Sequence, residues 1–337
     1  MKAYRIHELK GLDSLVVDDL PRPTPGPGEV LIRVRAVALN YRDLLIVKGL
    51  YSRNLPFPMI PTSDGAGEVA EIGPGVTRFK PGDRVAGCFF SGWVDGRMTE
   101  AAGKTAMGGA VDGMLAEYRV LPADGVVAIP DHLSFEEAST LPCAGLTAWH
   151  ALIESGGLRA GETVLVQGTG GVSLFALQFA RLAGARVIAT SSRDDKLGRA
   201  IGLGASDGIN YKTTPEWGRA VLGLTGGLGV DHVVEVGGAG TLGQSLKALK
   251  VGGHVALIGV LSGVPEFNPT PILMKSARVQ GIFVGSRAMF ERMNQAVALH
   301  GLRPVVDRVF PFNAAREAYA YLESGSHFGK IVIEVKD

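Results

Sequence analysis

Thr163-Val-Leu-Val-Gln-Gly-Thr-Gly-Gly-Val-Ser-Leu-Phe-Ala-Leu-Gln-Phe-Ala-Arg-Leu-Ala-Gly184 is the stretch that decides the fold. Val164-Leu165-Val166 is a short apolar, β-branched run, the pattern of a strand buried on both faces. Glycines crowd the turn after it, at 168, 170 and 171. Val172, Phe175, Ala176, Phe179 and Ala183 then recur at helical spacing, and Arg186-Val-Ile-Ala-Thr190 supplies a second strand. Strand, glycine turn, helix and strand make a βαβ unit. A strand that turns at once into a helix needs unusual backbone angles and no side chain between backbone and ligand. The helix then aims free N–H groups, and a partial charge of about +0.5, at whatever lies in front of it. A pyrophosphate suits that place. Gly168 and Gly170 match the first two positions of Gly-x-Gly-x-x-Gly/Ala, and Ser173, small enough for close packing, stands at the third. The predicted cofactor loop is Gly168, Thr169, Gly170, Gly171 and Val172.

The end of the second strand bears on which dinucleotide is bound. An NAD site wants a carboxylate about 20 residues past the first glycine, for the ribose 2′-hydroxyl. Here the strand runs into Thr190-Ser-Ser-Arg193 with no acid, and Asp194 and Asp195 fall in the first turn of the next helix. The hydroxyls of Ser191 and Ser192, with Arg193 and Lys196, suit a 2′-phosphate instead, so the expectation is NADPH. A solvated helix start is the plainer reading of Arg193 and Lys196.

Working outward, strands are expected at 163–167, 186–190, 208–211, 231–236, 253–259 and 278–284, alternating with helices. That is the pattern of a doubly wound parallel sheet. Ligands bind at the carboxyl ends of such strands, which adds Gly237, Gly238, Gly259 and the loop Val284-Gly-Ser-Arg287 to the candidates, Val284 and Ser286 among them. Residues 1–128 are rich in short strands and turns. Val30, Ile32, Val34 and Ala36 alternate with Arg33 and Arg35, and Gly73-Pro-Gly75 and Pro81-Gly-Asp83 make turns. Close spacing of such signals argues a small barrel-like β domain. Residues 91–113 read as a long loop with glycine ends. Residues 135–156 read as a helix broken at Pro142, its start marked by the capping box of Ser134 and Glu137. Helices are expected near 286–300 and 313–324. The last strand, from Lys330 to Val335, is expected to return to the first domain. The expected organisation is therefore 1–128 with 286–337, and 129–285.

With 337 residues and a net charge of +1, the chain carries no electrostatic case for nucleic acid or an anionic membrane. No apolar run reaches spanning length. Met1-Lys-Ala-Tyr-Arg-Ile-His7 lacks the apolar core of a signal peptide, and the two cysteines, Cys88 and Cys143, stand far apart in apolar company. The expectation is a cytoplasmic protein without a disulfide framework.

Taken together the chain resembles the medium-chain dehydrogenase/reductase superfamily. The residues that carry the resemblance are Gly28-Glu-Val30, Gly65-Ala-Gly-Glu-Val69, Gly73-Pro-Gly-Val76, Pro81-Gly-Asp-Arg-Val85, Leu146-Thr-Ala148, Gln167-Gly-Thr-Gly-Gly-Val172 and Phe328-Gly-Lys-Ile-Val332. The resemblance implies a GroES-like catalytic domain, a Rossmann domain and a cleft between them for the nicotinamide. It also implies cofactor contacts from Tyr211, Gly329 and Lys330. Zinc-dependent relatives hold a catalytic metal with a cysteine, a histidine and a second cysteine; here Asn40, Ser63 and Cys143 stand at those places, and the cysteine lobe is missing. A catalytic zinc needs three protein ligands, so no metal is expected, and Cys143 also reads as a small apolar residue. What remains is similar to the zinc-free quinone oxidoreductase (zeta-crystallin-like) branch, to which the Gly49-Leu-Tyr51 stretch and Ile209-Asn-Tyr211 also conform.

That resemblance implies an oxidoreductase that reduces quinones or α,β-unsaturated carbonyls with NADPH. The cofactor carries the hydride chemistry; the protein must place hydrogen-bond donors where negative charge grows on the substrate. Asn40 and Tyr51 are the candidate donors, Ser63 and Asp64 line the same expected wall, and Asp43 orients its neighbours. His150, on an apolar helix face in Ala148-Trp-His-Ala151, reads as a core histidine, so solvent is the expected proton source. A zinc-free alcohol or aldehyde dehydrogenase and a non-catalytic NADPH-binding protein are the alternatives. The sheet edge near 273–283 suggests a homodimer.

Overall fold

The computed structural model describes residues 1–52, 54–259 and 268–336. The chain divides into two compact units: Met1–Leu146 with Val284–Asp337, and Thr147–Phe283. The first joint lies later than the sequence patterning suggests, because residues 130–145 are fastened to the first unit. The Arg84 guanidinium donates to Asp131 O at 3.0 Å and Leu133 O at 2.5 Å, and lies over the Phe135 ring. Phe135 packs on Ala36, Ala38 and Val332. The expected capping box is present: Ser134 N–H donates to Glu137 Oε2 at 2.9 Å, and Glu137 N–H donates to Ser134 Oγ at 3.2 Å. The predicted break at Pro142 takes the form of a wide π-helical turn, Leu141–Gly145, with a second at His150–Glu154.

The first unit is built from β1 (Lys2–Ile6), β2 (Leu15–Asp19), β3 (Glu29–Ala38), β4 (Asp64–Ile72), β5 (Arg84–Gly87), β6 (Tyr118–Pro122) and β7 (Val126–Ala128). The second contributes β8 (Thr163–Gln167), β9 (Arg186–Ser191), β10 (Asp207–Asn210), β11 (Val230–Glu235), β12 (Leu249–Leu257) and β13 (Arg278–Gly281). The chain then returns to the first unit with β14 (Val306–Pro311) and β15 (Lys330–Glu334). In the first unit β1 and β2 pair with each other, and the main sheet runs β14-β15-β3-β4-β5-β7, with β6 also on β3. β3 is the spine. Its alternating apolar residues Val30, Ile32 and Val34 enter a core with Met59, Met107, Met114 and Tyr319, while Arg33 and Arg35 stay half-buried. The final strand does return, pairing Val332 with Ala38 across β3. Residues 91–113 form a packed segment. A short helix, Glu100–Gly103, starts at Thr99, whose side chain accepts from Ala102 N, and Met107 and Trp93 are buried.

In the second unit the parallel sheet has the order β10-β9-β8-β11-β12-β13. Counted from β8 this is 3-2-1-4-5-6, the doubly wound arrangement, whose direction reverses between β8 and β11. The apolar run read from the sequence is β8, with Val164, Leu165 and Val166 all fully buried. β13 stops at Gly281, short of the expected end, and Val284 takes a left-handed φ of 56° that no strand allows. No helix among the described residues is long and apolar enough to cross a membrane.

Candidate active site

In the first unit the end of β3, the start of β4 and the start of β15 bring one polar cluster together. Asn40 begins the helix Tyr41–Val47, and its backbone N–H donates to Asp43 Oδ2 at 2.9 Å. The Asn40 amide nitrogen reaches Ser63 Oγ at 3.4 Å, and the Ser63 hydroxyl donates to Asp64 Oδ1 at 2.7 Å. The other Asp64 oxygen accepts from Cys143 N–H at 3.0 Å. From the far side comes Lys330, 3% exposed, whose ammonium donates to Asn40 Oδ1 at 2.6 Å and to Leu39 O at 2.5 Å.

The electrostatics follow from burial. Asp43, 1% exposed, keeps one oxygen without a hydrogen bond, with the Arg42 guanidinium 3.6 Å away. Burial outweighs the pull of Arg42, and the Asp43 carboxyl is pushed up to about 6. Burial also raises Asp64, against the pull of Lys330. The Cys143 thiol is driven well above its ordinary range, first by loss of solvent and then by the neighbouring Asp64 charge.

Thr62, just before Ser63, has a φ of 70°. For a β-branched residue this is a true outlier, and such strain persists only where the surroundings impose it. Here they do. Tyr319 OH lies 2.8 Å from Thr62 Oγ1, and Met114 N–H donates to Thr62 O at 2.7 Å. A Cβ on Gly113 would come within 2.2 Å of Thr62 O, so only glycine lets this wall close. The strain aims Ser63 and Asp64 at Asn40.

Of the residues singled out from the sequence, Asn40, Asp43, Ser63 and Asp64 form this cluster. Tyr51 is 41% exposed and joins it through Arg42, whose guanidinium lies 5.1 Å from its ring centroid and 4.7 Å from that of Phe89. Lys330, assigned from the resemblance to the cofactor, has its ammonium on Asn40 and Leu39. Gly329, at φ 91°, is glycine because a Cβ would meet Val305 O at 2.3 Å. Sequence reasoning missed Arg42, Thr62 and Tyr319. Arg42 carried a signal, a basic residue beside an acid at a helix start.

In the second unit the cofactor candidates gather at the carboxyl ends of the parallel strands. Gly168, at φ 70°, turns the chain off β8, and Gly170 starts the helix Gly171–Leu182. Thr169 is buried and Val172 half-buried at this turn. After β9, Ser191 is buried and Arg193 begins the helix Asp194–Gly202. Arg193 makes a two-pronged pair with Asp195, at 2.9 and 2.7 Å. Lys196 is buried and Tyr211 is 41% exposed. Asp194, the other nearby acid, is engaged by Asn210 Nδ2 at 2.8 Å. After β12, Gly259 sits so close to Val236 that a Cβ would meet its carbonyl oxygen at 1.6 Å. Ser286, fully buried, starts the helix Arg287–His300 in the first unit, its side chain accepting from Met289 N–H at 3.3 Å.

No sequence pattern points to Glu235. Fully buried at the end of β11, it accepts from Gly237 N–H at 2.8 Å, Gly238 N–H at 2.9 Å, Thr241 Oγ1 at 2.5 Å and Gln167 Nε2 at 2.7 Å, and from the Ser245 hydroxyl. One carboxylate thus ties the turn after β11 to the last residue of β8.

The family described as alcohol dehydrogenase GroES-like domain matches residues 26–131, and that described as zinc-binding dehydrogenase matches residues 171–299. A zinc-type alcohol dehydrogenase-like protein of Schizosaccharomyces pombe is 46% identical, over 98% of this chain and 99% of its own. The chain belongs to the medium-chain dehydrogenase/reductase superfamily. Human quinone oxidoreductase is 30% identical over 99% of this dehydrogenase/reductase and 97% of its own chain. A mycobacterial protein whose structure was solved with NADPH is 31% identical, with a TM-score of 0.83, covering 99% of this chain and 100% of the other. A structure described as an NAD-dependent alcohol dehydrogenase is 39% identical, with a TM-score of 0.91 and full coverage of both chains. As a member of this superfamily the protein is an NAD(P)H-dependent oxidoreductase. The residues at its would-be metal positions do not suit zinc. The Asn40 oxygen already holds an ammonium and Ser63 offers a hydroxyl, which leaves Cys143 alone at those positions with a side chain of the kind zinc takes. Among the described residues no group of three or more histidine, cysteine or acidic side chains is placed to hold a metal ion.

Proposed function

We propose that this enzyme reduces quinones or α,β-unsaturated carbonyls by hydride transfer from NADPH, without zinc. The observation that carries the reading is the cluster in which Asn40 and Ser63, at positions the resemblance gives to zinc ligands in other members, are instead hydrogen-bonded to the Lys330 ammonium and the Asp64 carboxyl. NADPH supplies the hydride. The residues of this chain hold and orient. The Gly168–Gly171 turn and the helix behind it receive the pyrophosphate. Asn40 Nδ2 donates to the substrate oxygen as negative charge grows there, with Ser63 and Asp64 fixing its direction and Tyr51 flanking it. The preference for NADPH is supported by the end of β9, where Ser191, Ser192 and Arg193 stand in place of a carboxylate, and by the mycobacterial relative solved with NADPH.

The test is NADPH oxidation followed at 25 °C against a panel of quinones, enones, aldehydes and ketones. Turnover of quinones or enones well above that of simple aldehydes is expected. Preference for alcohol oxidation would point to a zinc-free alcohol dehydrogenase, and tight NADPH binding with no turnover on any of them would point to a non-catalytic binder. We also propose a homodimer, paired through the edge strand β13, beside which Leu273, Met274 and Phe283 are 78%, 74% and 49% exposed. A monomer mass by light scattering would end that idea. The free thiols Cys88 and Cys143 accord with a reducing compartment, the cytoplasm.

A further inference from the structure

We propose that Lys330 is the positioning residue of the reaction, fixing and charging the Asn40 amide so that its nitrogen, and not its oxygen, faces the substrate. The inference rests on the reading of Asn40 as the donor to the reacting carbonyl.

An asparagine amide has two ends of nearly equal shape, one accepting and one donating. An ammonium has only donors. The Lys330 ammonium at 2.6 Å therefore admits one orientation: Oδ1 inward on the lysine, Nδ2 outward on the Ser63 side. The same contact acts on the strength of the donor. A charge-assisted hydrogen bond to the amide oxygen draws electron density toward it and leaves the N–H pair more positive, the direction in which hydrogen bonds in series reinforce one another. The amide is thereby primed for a developing oxyanion rather than for a neutral carbonyl.

A purely architectural role explains the lysine poorly. β15 is already joined to β3 by backbone pairing, including Leu39 N–H to Ile331 O at 3.0 Å. Both hydrogen-bond partners of the ammonium are neutral oxygens, and the buried Asp64 and Asp43 carboxyls feel it through space without a direct hydrogen bond. Nor does a long, adaptable side chain explain why the two partners are Leu39 O and Asn40 Oδ1, consecutive groups at the end of β3. The arrangement makes sense if the target is the Asn40 amide.

The experiment is a cycle of Lys330→Met, Asn40→Ala and the double variant in the full-length protein, reading kcat, KM for a quinone, and the NADPH dissociation constant by fluorescence. We expect Lys330→Met to lower kcat about 30-fold, less than the roughly 100- to 1000-fold for removing an oxyanion donor outright because the donor is weakened and not lost, with NADPH affinity within about twofold of the parent because the ammonium acts on the amide. In the Asn40→Ala background the same change lowers kcat no further than about twofold, because the residue it acts through is gone. Lys330→Gln, which can still donate to Asn40 Oδ1 but carries no charge, falls between, and it replaces Lys330→Met in the cycle should that protein not fold. Weaker NADPH binding by about tenfold or more with unchanged kcat would make Lys330 a cofactor-phosphate contact and overturn the proposal. So would an equal loss in both backgrounds. If the parent enzyme turns over no quinone or enone, the functional reading fails; if the parent is active and the cycle is additive, only the role of Lys330 fails.

Discussion

Asp64 and Glu235 are both carboxylates with no exposed surface, one opening β4 in the first unit and one closing β11 in the second. Glu235 is ringed by donors: two backbone N–H groups, two hydroxyls and an amide. Asp64 receives a hydroxyl and a backbone N–H, and burial raises its pKa against the pull of Lys330. A carboxylate whose every lone pair is matched holds parts together and has no capacity left. One that is thinly matched, next to a buried cation and an amide with donors to spare, keeps its energy sensitive to whatever arrives. The first describes a fastening of the turn after β11 to β8; the second has the character of the reaction site proposed above.

The largest effect expected from this contrast is on stability. Glu235→Ala strands buried donors from β8, from the Gly237 turn and from the helix Ala239–Ala248, and should lower unfolding free energy by about 4 kcal/mol in a denaturant titration. Asp64→Asn should change it by less than about 1 kcal/mol while turnover falls. Equal losses of stability in both variants would erase the distinction.

The two units also answer acid with opposite sign. The Asp43 carboxyl sits at about 6 in the folded protein, above its ordinary value of 3.8. Its contribution to stability is therefore fully present below pH 3.8 and is lost as pH rises through about 6, a change of about 3 kcal/mol. His254, in β12 beside His232, is pushed down to about 4 from 6.5, by burial first and then by Arg278 and His232. Its contribution is present above pH 6.5 and lost as pH falls toward 4. Stability measured from pH 3.5 to 7 should lose the first slope in Asp43→Asn and the second in His254→Phe. Curves that superpose on the parent would remove both assignments.

Asn40→Ala should lower kcat about 100-fold, close to 2.7 kcal/mol in the barrier, with KM for the quinone little changed. The smallest effect belongs to the cofactor end. Arg193 is committed to an exposed pair with Asp195, and such pairs yield readily to a better partner. Arg193→Ala should weaken NADPH about tenfold, the loss of one charge-assisted phosphate contact, and leave NADH unaffected. Equal weakening of both would move the 2′-phosphate site elsewhere.

How much could be read in advance depended on distance along the chain. The β8–turn–helix–β9 unit was legible because strand, glycines and helix are contiguous and each constrains the next. The Ser134–Glu137 box was legible for the same reason. The contact of Lys330 with Asn40 spans 290 residues and exists only because β15 lies antiparallel to β3. No local pattern announces that pairing, so the sequence alone offers only the resemblance, which implies a cofactor contact for this lysine. Glu235 reaches 68 residues back to Gln167; a single glutamate ending an apolar strand looks like a strand end and nothing more. The joint between units moved to 146/147 because Arg84 reaches across to residues 131 and 133 from another strand. The strain at Thr62 is set by Gly113 and Tyr319, again from far along the sequence.

On the proposed function, an ammonium-backed amide, and not a metal, meets the substrate oxygen. It is tested most directly by treating the purified protein with a strong chelator, removing the chelator, measuring zinc by elemental analysis, and following quinone-dependent NADPH oxidation before and after. Negligible zinc and unchanged turnover are expected. One zinc per chain beforehand, with activity lost on chelation and restored by added zinc, would contradict it.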